Sequence, residues 1–95
     1  MTEFGDDTPS EYPIDGTLDL HMFAADETRE VVSEYVAECL RRGIYSLRIV
    51  HGKGLGVQRR IVRSVLEEHP MVERFYHEGG SGGGRGATVV DLKRP

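Results

Sequence analysis

The sequence predicts one α/β domain, a two-layer sandwich in which a four-stranded mixed sheet carries two helices on one face. Short β-rich segments alternate with amphipathic helical patterns in the order β-α-β-α-β-β. A helix joins the first two strands, which implies a parallel pair with a right-handed crossover, and a loop joins the last two, which implies an antiparallel pair. Because two helices cannot cover both faces of four strands, we expect a partly exposed face, with Arg48, Arg74 and Tyr76 on it.

Length and composition restrict the class of protein. Ninety-five residues suit one domain, and no apolar run approaches the roughly 18 residues of a membrane span. The acidic N-terminus lacks the basic and apolar regions of a signal peptide. The single cysteine, Cys39, excludes an intramolecular disulfide and a cysteine-built zinc site. We therefore expect a cytoplasmic domain without a membrane partner, monomeric by default.

The N-terminal part divides into a leader, a strand and a helix. Residues 1–15 combine prolines, glycine and acids without any period, which predicts a flexible acidic leader ahead of a domain over residues 16–95. Alternating leucines predict a strand over residues 17–21. Apolar residues then recur at helical spacing over residues 26–42, with Asp26 as the N-cap and a glycine directly after the last turn.

The same signals predict the remaining elements. Alternation marks the strands, and glycine and proline mark the turns and helix ends. The predicted elements are, in order, a strand over 44–50, a glycine-punctuated turn over 51–56, a helix from Val57 that Pro70 ends, a strand over 72–77, a flexible connection over 79–86 with six glycines in eight residues, and a strand over 87–92.

Charge is unevenly distributed along the chain. Residues 1–38 carry a net charge of −10, and residues 39–95 carry +6. Such a basic region can hold phosphate groups even on an acidic protein, or it can be a solvated face that pairs with the acidic first helix. Between Cys39 and Leu66 there is no acid, and the bases there are Arg41, Arg42, Arg48, Lys53, Arg59, Arg60 and Arg63.

Asp19 and His21 lie two residues apart at the end of the first predicted strand, where alternation places them on one face. A carboxylate beside an imidazole fixes the tautomer of the ring and stabilises its protonated form, as general acid–base catalysis requires. Local hydrogen bonding at a strand edge explains the pair more simply. The pair therefore specifies no function by itself.

The segment His51-Gly52-Lys53-Gly54-Leu55-Gly56 connects a predicted strand to a predicted helix. Glycines let the backbone approach a ligand, amides at a helix N-terminus favour an anion, and the lysine adds positive charge. The segment has neither the spacing of the phosphate loop of nucleoside triphosphatases nor the dinucleotide fingerprint. A tight turn that needs glycine is the alternative, but position and charge favour anion binding.

The two histidine-bearing segments are expected to meet. Parallel strands end at the same edge of a sheet, so both segments should open on that edge. Two arginines in the first turn of the second helix could flank the cluster and follow a phosphate backbone. The expected cluster comprises Asp19, His21, His51 and Lys53, with Arg59 and Arg60 beside it.

Three segments of the sequence, in this order, resemble the motifs of Smr (small MutS-related) domains. They are Leu18-Asp19-Leu20-His21, His51-Gly52-Lys53-Gly54 and the closing Gly86-Ala87-Thr88-Val89-Val90-Asp91-Leu92. The resemblance covers about residues 16–92. It implies a fold similar to the C-terminal domain of bacterial translation initiation factor three, with four strands and two helices in two layers. Met22-Phe23 follows the first histidine, where many Smr domains have glycine, which leaves open whether catalysis carries over.

The resemblance implies endonuclease activity on nucleic acid, by cleavage of RNA, including mRNA on ribosomes, or by nicking of DNA. The LDxH and HGxG motifs of the family carry over to the two histidine-bearing segments. The catalytic residues we expect are Asp19, His21 and His51. The nucleic-acid-binding residues we expect are Gly52, Lys53, Gly54, Gly56, Arg59, Arg60 and, in the flexible connection, Arg85.

Cofactor and partner expectations follow from this chemistry. RNA cleavage through the 2′-hydroxyl would require no cofactor, whereas DNA cleavage needs activated water and is more natural with magnesium or manganese. RNA or DNA is the expected partner, with the ribosome as a further candidate. Two other classes stay open: a non-catalytic nucleic-acid or ribosome-binding module that uses the same groove, and a protein-interaction module that uses the open sheet face and the leader.

Overall fold

The computed structural model describes residues 14–52, 56–78 and 86–95. Four strands form one sheet, and two helices and two short 3₁₀ turns complete the described part. The strands are β1 (Thr17–Asp19), β2 (Ser46–Val50), β3 (Val72–Glu78) and β4 (Ala87–Leu92), the helices are α1 (Thr28–Arg41) and α2 (Val57–Glu68), and the 3₁₀ turns are Leu20–Met22 and Ala25–Glu27.

Several predicted features lie outside the described residues. They are nearly all of the leader, the glycine-rich connection up to residue 85, and the three predicted binding residues Lys53, Gly54 and Arg85. Within the described ranges, no helix has the length and apolar character needed to cross a membrane.

The strand order across the sheet is β1-β2-β4-β3. β1 pairs with β2 in parallel, and β4 is antiparallel to both of its neighbours. The strands β1, β2 and β3 therefore run in one direction, and their carboxyl ends meet at one edge of the sheet together with the start of β4. We call this the carboxyl edge. The predicted α/β sandwich with a mixed sheet is confirmed.

Both helices pack on the same face of the sheet. The apolar residues of α1 and α2 that recur at helical spacing meet every second residue of the strands, because side chains alternate between the faces of a sheet. The shared core consists of Leu18, Leu20, Val32, Tyr35, Val36, Cys39, Leu47, Ile49, Val62, Val65, Leu66, Val90 and Leu92.

The opposite face of the sheet has no helix over it in the described part of the chain. The pairing register aligns Arg48 with Val89 and Val89 with Tyr76, so the expected residues do lie there. Carboxylates neutralise the arginines of this face. A nitrogen of Arg48 lies 2.8 Å from Glu78, and the Arg74 guanidinium lies 2.8 Å from Asp91.

The first strand is shorter than the predicted range of 17–21. β1 ends at Asp19, because the carboxylate of Asp19 accepts the backbone N–H of His21 at 2.9 Å and turns the chain into the 3₁₀ turn Leu20–Met22. Leu20 is nevertheless fully buried, so the turn continues the apolar face that the strand begins.

The predicted start of the first helix was wrong by two residues. α1 begins at Thr28, and Asp26 lies inside the preceding 3₁₀ turn rather than at an N-cap. The carboxylate of Glu27 instead accepts the N–H of Ala24 at 2.8 Å, and the Thr28 hydroxyl donates to the Ala24 carbonyl at 3.2 Å. These bonds satisfy the turn locally and move the helix start toward the C-terminus.

The backbones of Gly52 and Gly86 are in close contact at the carboxyl edge. The Gly86 carbonyl accepts the N–H groups of both His51, at 2.7 Å, and Gly52, at 2.8 Å. Gly86 has a φ of +67°, and a Cβ added there would lie 2.5 Å from the carbonyl carbon of Gly52. Only glycine fits at this point, where the start of β4 is joined to the loop after β2.

Gly86→Ala should therefore lower the free energy of unfolding by roughly 2–5 kcal/mol, through the left-handed backbone and the overlap with Gly52. Gly43→Ala is the matched control, because Gly43 has a φ of +73° with nothing within 4 Å of the added Cβ. This control should lose only roughly 1–2 kcal/mol. Urea denaturation of both variants measures the difference, and equal losses would contradict the close contact.

Candidate functional site

Asp19 and His21 form an exposed pair at the carboxyl edge. The Nδ1 atom of His21 lies 2.6 Å from Oδ1 of Asp19, and the two side chains are 61% and 59% exposed. An ionised carboxylate can only accept, so Nδ1 carries a proton, and the neutral form of the ring has its lone pair on Nε2. The N–H of His21 is the largest influence on the pKa of Asp19 and lowers it below its usual value of 3.8, and the imidazole lowers it further.

The ring of His21 lies against Gly52. A Cβ built on Gly52 would be 3.1 Å from Nε2 of His21, and Gly52 has a φ of +81°. The absence of a side chain at Gly52 thus makes room for the ring. The two motifs predicted from the sequence are in contact through this glycine.

The environment of His51 differs from that of His21, because its side chain is buried, with 6% of its surface exposed. Its Nδ1 lies 3.1 Å from the carbonyl of Gly52, and its Nε2 lies 2.9 Å from the hydroxyl of Thr88. A carbonyl only accepts, so Nδ1–H donates to it and Nε2 accepts from the hydroxyl. Both ring nitrogens are therefore engaged inside the protein, and the acid–base role expected for His51 stays a prediction.

Burial lowers the pKa of His51 below 6.5, the hydrogen bond to the Gly52 carbonyl partly opposes this, and electrostatic interactions with His77 and Arg59 lower the pKa further. The ring is consequently neutral at physiological pH. One of its faces stacks on His77, with the ring centroids 5.8 Å apart and the planes 11° from parallel. The hydrogen bonds of His51 hold the described start of the loop after β2, residues 51 and 52, in place.

The N-terminus of α2 adjoins this loop and is electropositive. Gly56 caps the helix in the left-handed conformation, without a capping side chain and without an acid in the first turn. Arg59 and Arg60 lie in that turn, where a cation at the positive end of the helix dipole is unfavourable unless an anion is present. Within the described residues neither arginine takes part in an ion pair.

All four other arginines of the predicted basic segment form ion pairs with nearby carboxylates. The pairs are Arg41 and Arg42 with Glu38, Arg48 with Glu78, and Arg63 with Glu67. Arg41 and Arg42 share the one carboxylate of Glu38, so one positive charge remains at the end of α1. The arginines of this segment without any described carboxylate partner lie in the first turn of α2, close to His51. Of the two alternatives that the sequence left open, pairing with the acidic first helix holds for Arg41 and Arg42. The anion site stays a prediction.

Gln58 is a residue of the site that sequence reasoning missed. Its amide nitrogen lies 3.2 Å from the carbonyl of Leu20, 2.9 Å from that of Phe23 and 3.2 Å from the hydroxyl of Thr28. It thereby ties the turn that carries His21 to the first turn of α2. No sequence signal marks Gln58, because a polar residue early in an amphipathic helix is typical of a solvated position.

Thr88 was also missed, although the sequence did contain a signal for it. Thr88 shares a strand face with Val90 and Leu92, and it is the polar residue among them. A polar group on a buried face requires a partner, which here is the imidazole of His51.

Asp19 and His21 are the paired donors that a divalent metal could contact at this site. Among the described residues there is no group of three or more histidine, cysteine, aspartate or glutamate side chains that could hold an ion. A magnesium or manganese ion here would therefore take most of its ligands from a substrate phosphate and water, as magnesium commonly does.

The fold and this site define the class of protein. The model of the Smr domain family matches residues 18–93, and the chain belongs to this family. It is similar to Endonuclease MutS2 of Clostridium botulinum (strain 657 / Type Ba4), with 36% identity over 80 residues, which are 84% of this chain and 10% of the relative. Endonuclease MutS2 of Halalkalibacterium halodurans is 36% identical over 84 residues, which are 88% of this chain and 11% of that protein. The chain thus spans about a tenth of the length of these curated relatives.

Two solved structures share the fold. The crystal structure of the Smr domain of Thermus thermophilus MutS2 aligns with a TM-score of 0.75 and 34% identity, covering 85% of this chain and 100% of that chain. YdaL, a stand-alone small MutS-related protein from Escherichia coli, aligns with a TM-score of 0.68 and 30% identity, covering 88% of this chain and 69% of YdaL. The resemblance noted in the sequence is confirmed.

Gln58→Glu should loosen the turn that carries His21, because a carboxylate near two carbonyls repels them instead of donating to them. We expect the free energy of unfolding to fall by roughly 1–3 kcal/mol, measured by urea denaturation. Gln58→Met, of similar length but uncharged, is the control and should lose less. If Gln58→Glu is as stable as the wild type, the amide does not hold this turn.

The neutral, buried His51 makes stability depend on pH. Its folded pKa lies below the unfolded value of 6.5, so the unfolded chain takes up the proton first as the pH falls. The wild type should therefore lose stability as the pH falls through about 6.5 toward the folded pKa. The stability difference between the wild type and His51→Gln should be smaller at about pH 5.5 than at about pH 7.5. A difference that grows on acidification would contradict a neutral ring.

Proposed function

We propose that this chain is a nucleic-acid endonuclease module in which His21, oriented by Asp19, is the general acid–base for cleavage of a phosphodiester. The observation that carries the proposal is the 2.6 Å contact between Nδ1 of His21 and the Asp19 carboxylate, with the ring exposed against a glycine loop. This arrangement leaves Nε2 as the nitrogen that can accept a proton from a substrate.

The electropositive end of α2 supports binding of a phosphate backbone. Arg59 and Arg60 supply charge that no described carboxylate neutralises, and the glycine-capped helix start supplies free backbone N–H groups. Lys53, Gly54 and Arg85 stay proposed contacts on the basis of the sequence. The acidic composition of the whole chain does not oppose this binding, because attraction depends on the local field.

With RNA, Nε2 of His21 would accept the proton of the 2′-hydroxyl as that oxygen attacks the phosphorus, and the bond to the 5′-oxygen would break. Asp19 would stabilise the imidazolium that forms, and the leaving 5′-oxygen would take its proton from solvent. With DNA, the attacking group would be water, and a magnesium or manganese ion would supply Lewis-acid activation.

We assign His51 a positioning role within this site. Its ring holds the carbonyl of Gly52 and the hydroxyl of Thr88, so it fixes the glycine on which His21 rests. A direct acid–base step would require the buried ring to turn outward and abandon both hydrogen bonds. The geometry therefore favours His21 as the residue that meets the substrate.

The relatives add support by their names, since several are called Endonuclease MutS2. They are about ten times longer than this chain, so their whole activity does not transfer with the domain. We propose RNA or DNA as the partner class, with the ribosome as a site where RNA would be met.

A non-catalytic binding module is the second candidate. The observation that favours it is Met22, which is 78% exposed directly after His21, where many Smr domains have glycine. An exposed, bulky apolar side chain directly after the histidine would compete for space with a scissile phosphate that approaches the imidazole. In this alternative the same groove binds nucleic acid without cleaving it.

Substitution of the dyad distinguishes the two candidates. His21→Gln should lower the cleavage rate by about 100-fold or more, because the general base is lost. Asp19→Asn should also lower it, since the amide still accepts the N–H of His21 but no longer stabilises the imidazolium. Both variants should retain nucleic-acid affinity. Cleavage is measured on single-stranded RNA and on duplex, nicked and branched DNA, with EDTA, magnesium or manganese.

Two matched controls accompany these variants. Asp15→Asn makes the same change at a similar turn, where the Asp15 carboxylate accepts the N–H of Thr17 at 3.1 Å without a histidine nearby. His69→Gln changes a histidine before β3, at the opposite end of the sheet. Both controls should cleave at the wild-type rate. If the wild type binds these substrates and cleaves none of them, the non-catalytic module is correct.

A further inference from the structure

A cavity of about 520 Å³ lies beside His51. Its volume falls within the range of about 300–1,000 Å³ that is typical of small-ligand sites. The side of α2 and the two strands β3 and β4 enclose it. Its lining residues are Arg59, Arg63, Phe75, Tyr76, His77 and Thr88.

The cavity lies at the same edge of the sheet as the catalytic pair. His77 is near the carboxyl end of β3 and pairs with Thr88 at the start of β4, so it belongs to the carboxyl edge. The strand order β1-β2-β4-β3 separates it from the end of β1 by three strand spacings, roughly 14 Å at about 4.8 Å each. A strand of nucleic acid bound at His21 could pass the loop after β2 and reach this cavity.

Two guanidinium groups give the cavity affinity for phosphate. Arg59 and Arg63 are four residues apart in α2, so both lie on the same side of the helix. Arg59 makes no ion pair within the described residues. The partner of Arg63 is Glu67, at 3.2 Å, and both side chains are largely exposed. Such a surface pair contributes little energy, so a phosphate can replace the carboxylate.

The exposed ring of His77 offers a surface for a planar group. One face of His77 is stacked on His51, whose own ring is fixed by hydrogen bonds to Gly52 and Thr88. His77 is therefore an extension of a rigid stack, and it lines the cavity. When proteins recognise single strands, the unpaired bases stack on aromatic side chains, histidine included.

We propose that this cavity is a subsite for one unpaired nucleotide, whose phosphate is held by Arg59 and Arg63 and whose base stacks on His77. The inference rests on the proposed function, because the strand is taken to reach the cavity from a phosphate bound at His21. It deepens that function by restricting the substrate to nucleic acid with an unpaired nucleotide near the scissile phosphate. A base inside a continuous duplex is stacked on its neighbours and cannot enter.

The test measures the binding of short fluorescent oligonucleotides by fluorescence anisotropy. It compares single-stranded RNA and single-stranded DNA with blunt duplexes of the same sequence. His77→Thr, which keeps a strand-forming residue but removes the ring, should weaken single-strand binding about tenfold. His77→Phe, which keeps a stacking ring, should restore the affinity. Duplex affinity should stay unchanged in both variants. The RNA and DNA arms show which sugar the subsite accepts.

Arg63→Gln tests the phosphate contact separately. It should weaken single-strand binding and reduce its salt dependence. The magnitude of the slope of log affinity against log salt concentration should decrease by about 0.7. Arg41→Gln is the matched control, because Arg41 also belongs to an exposed helical ion pair, at 2.6 Å from Glu38, but at the end of α1 away from the carboxyl edge. It should leave affinity and slope unchanged.

The outcomes separate the subsite from the proposed catalysis. If His77→Thr binds single strands like the wild type, or loses single-strand and duplex binding equally, the subsite is wrong even where His21→Gln abolishes cleavage. If the wild type cleaves nothing but its single-strand binding depends on His77 and Arg63, the subsite stands and the endonuclease proposal fails. If the wild type binds no nucleic acid, both are wrong.

Discussion

The close contact between the backbones of Gly52 and Gly86 is the constraint on which the site depends. One carbonyl accepts two N–H groups there, so the start of β4 and the loop after β2 are held as a unit. Because Gly52 is fixed without a side chain, the ring of His21 can lie on it. Because His51 continues the buried face of Leu47 and Ile49, its ring is directed inward to Thr88. Gly52 and Gly86 thus shape the site through backbone packing.

Solvent exposure gives the histidines of the carboxyl edge different chemistry. His21 is exposed and oriented by a carboxylate, which suits proton transfer. His51 is buried, and burial lowers its pKa, so it acts as a neutral hydrogen-bonding group. His77 is exposed on one side and stacked on the other, which suits contact with a planar group. Residue type alone does not distinguish these roles.

Much of the fold follows from local patterns in the sequence. Alternation and helical spacing predict the six main elements and their order, and the connections predict the mixed sheet. The contact between Asp19 and His21 was expected for a different reason than the structure shows. The sequence predicts it because strand alternation places the two residues on one face, whereas in the structure the carboxylate caps a 3₁₀ turn that ends the strand.

The features that the sequence did not reveal depend on contacts between distant segments. The burial of His51 requires the register of β2 against β4, which brings Thr88 beside it. Gln58 is recognisable only once α2 lies next to the turn after β1, some 35 residues away along the chain. Likewise, the charge that stays uncompensated at Arg59 and Arg60 is set by which other arginines find carboxylates in three dimensions.

The ion pairs on the rest of the surface have a consequence for how a polyanion meets this protein. Carboxylates offset Arg48 and Arg74 of the open sheet face one for one, and Glu38 offsets one of the two arginines at the end of α1, so these regions offer an approaching phosphate chain little attraction. The N-terminal turn of α2 offers more. Under the proposed function, long-range attraction would favour collisions of a nucleic acid at this turn, beside the histidines of the carboxyl edge, before any base is recognised.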